Sequence, residues 1–232
     1  MLIKNRVFVA KFISRPDRFR AYVNLGGEDI LVHVPNTGRC KEILVQGSAV
    51  LLREELNPSR KTLYDLIAAY KGNKIINIDS QIPNKVVDEA LKDRKIEKLA
   101  KYNIIEREKT FGNSRFDFKL SSDGDSEEEY YLEVKGVTLE VDGKSMFPDA
   151  PTQRGRKHLL ELIEAKKQGF GAGVLFLIQM DNIDNFSAND DMDEAFGEAL
   201  RLAFKSGVDI FAYECSVGES FITLNKNVEV VL

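Results

Sequence analysis

Ser114-Arg-Phe-Asp117-Phe-Lys-Leu120 and Tyr130-Tyr-Leu-Glu133-Val-Lys135 decide how the C-terminal part of the chain is read. Each stretch alternates at period two, the spacing of a β-strand. Phe116, Phe118 and Leu120 fall on one face of the first, which sends Asp117 the other way. Tyr130, Leu132 and Val134 share a face of the second, leaving Glu133 and Lys135 opposite. The polar, acidic run 121–129 between them reads as a solvated hairpin tip. With Leu120 set against Tyr130, Asp117 falls opposite Glu133, β-carbons about 4.5–5.5 Å apart. Like charges so placed repel, and a sheet avoids the arrangement unless a cation lies between them. An all-oxygen, carboxylate-rich set suits Mg2+ or Mn2+.

Outward from this pair the period changes. Asn84-Lys-Val-Val-Asp-Glu-Ala-Leu-Lys92 has helical spacing with Asn84 as its N-cap. Strands are predicted at 103–107, 115–120 and 130–137. A helix follows over 152–168, with Leu159, Leu162 and Ile163 on one stripe. Val174-Leu-Phe-Leu-Ile178 is a continuous apolar run, the pattern of a strand buried on both faces. A helix over 194–205, a stop at Gly207 and a strand over 208–213 complete an α/β sandwich around a mixed sheet. Before Gln81-Ile-Pro83 the chain is different: five or six short strands broken by turns such as Ser14-Arg-Pro-Asp17 and Gly26-Gly27. So many strands in so short a segment imply a small barrel of the oligonucleotide-binding (OB) type. The fold class is therefore α/β (α+β overall), with an OB-type β-barrel domain over 1–82 and a mixed-sheet domain over 83–232.

The 232 residues are 43% hydrophobic and 30% charged, with a net charge of −4, so the whole chain is not a strongly basic nucleic-acid binder. Its charge is unevenly spread. Residues 1–80 carry 13 Lys and Arg against 8 Asp and Glu, and the remainder 20 against 29, which suggests two parts with different roles. No apolar run approaches the roughly 18 residues needed to span a bilayer, so no membrane partner is expected. Charges at Lys4 and Arg6 interrupt the start where a signal peptide would be apolar. Only Cys40 and Cys215 are present, which excludes a disulfide framework and points to a reducing, cytoplasmic compartment. Two histidines leave triad chemistry almost no material, and His158 reads as a satisfied structural histidine.

Two clusters of cations are candidates for DNA contact. Arg154, Arg156 and Lys157 crowd the first turn of the helix behind Thr152, its predicted N-cap. Cations there oppose the helix dipole at about 0.3–1 kcal/mol each, a placement that makes sense if a phosphate visits. In the barrel, Arg18, Arg20, Tyr22 and Asn24 share the outward face of one strand. Arginines there can take phosphates and the tyrosine ring can stack on bases.

Asp117 followed one strand later by Glu133-x-Lys135, in a helix–three strands–helix–strand order, resembles the PD-(D/E)xK nuclease fold of restriction-type endonucleases. That resemblance implies Asp117 and Glu133 as metal ligands, the Val134 carbonyl completing the inner shell, and Lys135 orienting the attacking water. It also matches Glu89, on the preceding helix, to an extra acid that many members use. The family's Pro-Asp is absent, since Phe116 precedes Asp117, and Pro148-Asp149 comes in the wrong order for it. On a larger scale His33-Val-Pro-Asn-Thr-Gly38, Asn57-Pro, Leu63-Tyr, Gln81-Ile-Pro-Asn84, Glu133-Val-Lys and Phe147-Pro-Asp-Ala-x-Thr-x-Arg-Gly-Arg-Lys-His-Leu159 together resemble the sugar fermentation stimulation protein A family. Gly136 stands where an Asn is common. This second resemblance implies an OB-type domain joined to a restriction-endonuclease-like domain in a cytoplasmic DNA-binding protein. His33 and Asn36 would then face the cleft between the two. The expected function is a metal-dependent phosphodiesterase on DNA, and the alternative is a non-cleaving DNA-binding regulatory protein linked to sugar metabolism. The oligomeric state stays open, with a homodimer as one arrangement.

Overall fold

Six strands form the N-terminal part of the structure, a computed structural model that describes residues 1–123 and 128–232. They are β1 (Val7–Ser14), β2 (Arg20–Leu25), β3 (Glu28–His33), β4 (Ala49–Glu54), β5 (Tyr64–Lys71) and β6 (Lys74–Asn77). The spatial order is β3-β2-β1-β4-β5-β6, and a pairing of β3 with β5 closes the first five into an OB-like barrel. Period-two patterning drives the closure. Ala21 and Val23 of β2 are fully buried, while the alternating Arg20 and Tyr22 point to solvent. Closing the sheet on itself also removes exposed strand edges.

The remaining elements are α1 (Ile82–Lys92), β7 (Ile104–Phe111), β8 (Ser114–Ser121), β9 (Tyr130–Val137), β10 (Glu140–Val141), β11 (Lys144–Phe147) and α2 (Gln153–Lys167). β12 (Gly171–Ile178), β13 (Asn185–Ala188), α3 (Asp190–Lys205), β14 (Asp209–Gly218), β15 (Phe221–Asn227) and β16 (Glu229–Val231) follow. The main sheet has the order β15-β14-β12-β9-β8-β7. β12 pairs in parallel with β9 and β14, and alternate residues pack on opposite faces. Val174, Phe176 and Ile178 join the core shared with α2 and α3, whereas Leu175 and Leu177 join the cluster under α1. That two-sided burial explains its continuous apolar run.

Two features depart from the sequence expectation, and one falls where it is not tested. A second sheet, β10-β11-β13-β16, is built from strands of two to four residues, too short to show a period. Helix α1 begins at Ile82 with Gln81 as its N-cap and Pro83 in its first positions, so Asn84 lies inside the first turn and does not cap it. Residues 124–127 of the acidic tip lie outside the described residues. Thr152, by contrast, does cap α2, its hydroxyl accepting from Gly155 N–H at 3.0 Å. Among the described residues no helix is long and apolar enough to cross a membrane.

Barrel and α/β part share one apolar cluster that runs from Val50, Leu66 and Ile76 to Phe176, Phe186 and Phe196. Polar bonds tie the seam. Gln179, after β12, exchanges main-chain and side-chain hydrogen bonds with Asn77 at 2.9–3.1 Å, and Ser80 Oγ donates to the Pro35 carbonyl at 2.8 Å. Behind the seam, Arg53 donates to Glu55 (2.6 Å), Asp65 (2.8 Å) and Asp79 (3.0 Å). Asp65 also holds His33 at 2.8 Å and pairs with Arg60.

Burial works to raise the Asp65 pKa. The His33 hydrogen bond and the Arg60 and Arg53 charges outweigh it and hold the carboxyl below its ordinary 3.8. A depressed carboxyl contributes stability that is complete above the unfolded-state value and is lost as pH falls through the folded-state value. Asp65→Asn leaves buried guanidinium charge uncompensated and should lower unfolding free energy by about 3 kcal/mol at pH 7. Urea melts across pH should show the gap between parent and variant narrowing below about pH 4, as the parent protonates Asp65 on unfolding.

Candidate active site

The β8–β9 register is the one the alternation predicts: Leu120 pairs with Tyr130, Lys119 with Tyr131 and Phe118 with Leu132. One step further, opposite Glu133, the ladder stops. Asp117 fills the gap with its side chain, Oδ2 accepting the Val134 N–H at 2.8 Å. Its Oδ1 accepts from Asn84 Nδ2, in the first turn of α1, at 2.6 Å. The pleat also breaks here. Phe118 and Leu120 pack under α1, but Phe116 does not share their face; it joins Tyr131 and His158 on the α2 side, ring centroids 5.8 and 6.1 Å away. On β7, Glu108 between the Arg107–Phe118 and Lys109–Phe116 pairs takes a φ of 54°, a twist that alternation alone does not encode.

Glu133 is only 3% exposed. Its Oε1 accepts from Lys135 Nζ at 2.5 Å and from His158 Nδ1. Since a carboxylate only accepts, His158 carries its proton on Nδ1 and turns the Nε2 lone pair to Arg154 Nε, 3.5 Å away. Lys135 and His158 are therefore two donors converging on one oxygen. The other oxygen, Oε2, is buried without a hydrogen-bond partner. Burial works to raise the Glu133 pKa, but the His158 hydrogen bond and the Lys135 charge prevail and hold it low. Asp117 goes the other way: burial and the Glu133 charge push its pKa up, and the Val134 and Asn84 hydrogen bonds only partly offset them. Two acids are thus held face to face with their pKa values driven apart, one buried oxygen left free. Carboxylate oxygens are hard donors, so this pair could hold a hydrated dication of the Mg2+ class, which needs only one or two protein carboxylates. Among the described residues no group of three or more His, Cys, Asp and Glu assembles to hold an ion.

Gly136 continues the floor. A β-carbon there would come within 2.6 Å of Gln179 Oε1 and 2.7 Å of Pro83 Cγ, so the close approach of α1 and the seam to β9 requires glycine. Above the floor opens a cleft of about 1040 Å³ between barrel and α/β part, with Asp117, Glu133, Val134 and Lys135 among its lining residues.

The other candidate residues separate. Arg18 and Arg154 line the cleft, and so does Asn36. Glu89 does not join the acidic pair: it is 46% exposed and holds the α-amino group of Met1 at 2.7 Å. Asn84, not Glu89, is the α1 residue that reaches Asp117, in a helix whose N-cap lies three residues earlier than its capping pattern implied. Arg20 is drawn to Asp17 at 2.6 Å, and Tyr22 is 43% exposed on the barrel's outer face. Neither lines the cleft. The α2 cations fan out: Lys157 donates to the Asn113 carbonyl at 2.8 Å and Arg156 points to solvent. His33 belongs to the Asp65 network and not to the cleft. Sequence reasoning passed over Arg15, Arg39, Lys41 and Asp149, all in the cleft wall. They sit in irregular loops, where no periodicity marks direction.

Comparison with known proteins agrees with this layout. Residues 13–78 match the family model described as the SfsA N-terminal OB domain, and residues 81–221 the sugar fermentation stimulation protein RE domain. The chain is 66% identical over 232 residues to the sugar fermentation stimulation protein homolog of Clostridium tetani, covering 100% of both. It is 66% identical over 223 residues to the homolog of Clostridium perfringens strain 13, covering 96% of each. The solved structure of Pyrococcus furiosus SfsA in complex with Ca2+ superposes with a TM-score of 0.88 at 26% identity, covering 100% of both chains. Family models that match residues 13–78 and 81–221, with relatives 66% identical along the whole length, make this chain a member of the sugar fermentation stimulation protein family.

Proposed function

We propose that this protein is a divalent-metal-dependent phosphodiesterase acting on DNA, with Mg2+ or Mn2+ held by Asp117 and Glu133. The observation that carries this reading is the free, buried Glu133 Oε2 beside an Asp117 whose pKa is pushed up. A buried acceptor without a partner is costly, by about 1–3 kcal/mol, and a cation between the two carboxylates would remove both that cost and their repulsion. The similar Pyrococcus furiosus SfsA was solved in complex with Ca2+, which supports an oxygen-ligand cation of this class.

When bound, the ion would lower the pKa of a water and neutralise charge developing on the phosphate. The protein's own groups do the rest. Asp117 and Glu133 would supply the ligand oxygens, joined by the carbonyl of Val134, the residue after Glu133 on β9. His158 holds Glu133 by its Oε1 and so leaves Oε2 free, the oxygen that would take the ion. Lys135, bonded to the same Oε1, would orient the attacking water. Arg18 and Arg154 receive the flanking phosphates, a role suited to the fork geometry of guanidinium groups.

The second reading is a non-cleaving DNA-binding protein, with a regulatory role linked to sugar metabolism. One observation favours it: among the described residues no third acid completes the pair.

Mn2+-dependent cleavage of plasmid DNA should fall about a hundredfold or more in Asp117→Asn and in Glu133→Gln, while DNA affinity holds or rises because a negative charge has left the cleft. His158→Gln, which keeps a donor but not the imidazole's reach, should weaken Mn2+ affinity by about 10–100-fold in a calorimetric titration, with the melting temperature nearly unchanged. Cleavage that survives EDTA, or is untouched by Glu133→Gln, would exclude the mechanism.

A further inference from the structure

The walls of the cleft are closer together and more rigid than an open duplex-binding trough needs. One wall is the barrel segment 36–41. Its glycine, Gly38, approaches the opposite wall so closely that a β-carbon there would lie 2.8 Å from Asp149 Oδ2. The two walls therefore meet beside the acidic pair.

This segment is fixed in place, unlike a mobile flap. Arg15 spreads its guanidinium under it, Nη1 donating to the carbonyls of Gly38 (2.7 Å) and Arg39 (2.9 Å). Nη2 donates to the carbonyls of Arg18 and Asn36, both at 2.6 Å. Asn36 ties the segment to the seam, Nδ2 donating to the Ile78 carbonyl at 2.7 Å while Oδ1 accepts the Gly38 N–H at 2.6 Å. Cys40, Ile43 and Leu44 anchor its far end in the barrel core. Opening the wall would break these bonds together.

Inside the cleft the chemistry is that of a strand path. Arg18, Arg39 and Lys41 line it and, among the described residues, pair with no carboxylate. Met146 of β11 is half-buried in its lining and offers apolar surface to a base face, while the Phe147 ring packs inward on Phe176 and Phe196. Cationic side chains along a groove with apolar surface beside them are what single-stranded nucleic acid requires. The cleft holds about 1040 Å³, at the upper end of small-molecule pockets and room for a few unpaired nucleotides. Glu133, only 3% exposed, lines the same cleft whose walls meet at Gly38 and Asp149.

We infer that the cleft takes single-stranded DNA, a free end or an unpaired segment, and excludes intact duplex. The inference rests on the reading of Asp117 and Glu133 as the hydrolytic centre only for where cleavage falls; strand choice is set by the walls and can be measured without metal.

The test uses a fluorescent 30-nucleotide strand, the same strand in a blunt duplex, and a duplex with a long single-stranded arm. Anisotropy in EDTA should show the single strand bound at least tenfold more tightly than the duplex. Arg39→Gln combined with Lys41→Gln should cost at least fivefold in single-strand affinity and reduce the salt slope by about 1.4, at about 0.7 per lost phosphate contact. With Mn2+ added, cuts should be confined to the single strand and the arm. Equal or tighter duplex binding, or equal duplex cleavage, would overturn the inference while leaving the metal site standing. Single-strand preference without any cleavage would uphold the inference and remove the hydrolytic reading. Failure of every substrate to bind at low salt would overturn it.

Discussion

Everything in the site depends on the place where β8 and β9 part. Up to Phe118 the two strands exchange main-chain hydrogen bonds; at the next position the Asp117 carboxylate takes the Val134 N–H in their place. That substitution brings an acid to the sheet's interior, against Glu133, at a position where a continued ladder would have kept the strands in contact. It also frees the strands to diverge, which gives Asn84 access from α1 and opens the floor of the cleft.

The cost of holding two buried carboxylates together is met unequally. Glu133 is stabilised as an anion by His158 and Lys135 on a single oxygen, and Asp117, with two neutral donors, is not. The surplus acceptor capacity is one buried oxygen of Glu133 that has no hydrogen-bond partner. His158 is thus more than a packed histidine: its Nδ1 proton fixes the carboxylate rotamer, and Arg154 fixes the tautomer from the other side. The barrel contributes on a different length scale. Through Arg15 and Asn36 it holds a wall of the cleft in one position, and through Asn77 and Gln179 it shares the floor's foundations with β9.

Strict period-two stretches were readable in advance, and so were the elements they define. The Leu120–Tyr130 register, the two-sided burial of β12 and the Thr152 cap follow from alternation, an apolar run and a capping residue. Positions where local geometry departs from its period were not readable. Phe116 changes face beside the twisted Glu108, and α1, starting at Ile82, puts Asn84 against Asp117 and Glu89 against the Met1 amino group. Arg20, on the exposed strand face, is satisfied locally by Asp17 three residues earlier, whereas Arg39 and Lys41, in a loop without pattern, reach the cleft. Strands of two to four residues, such as β10 and β11, carry no periodicity to detect.

The most direct test of the account is anomalous diffraction from crystals soaked in Mn2+. One peak should lie within about 2.0–2.6 Å of both an Asp117 oxygen and Glu133 Oε2, the span of oxygen-bound dications. Clear density for the two side chains with no peak between them, or a peak held by other residues, would contradict it.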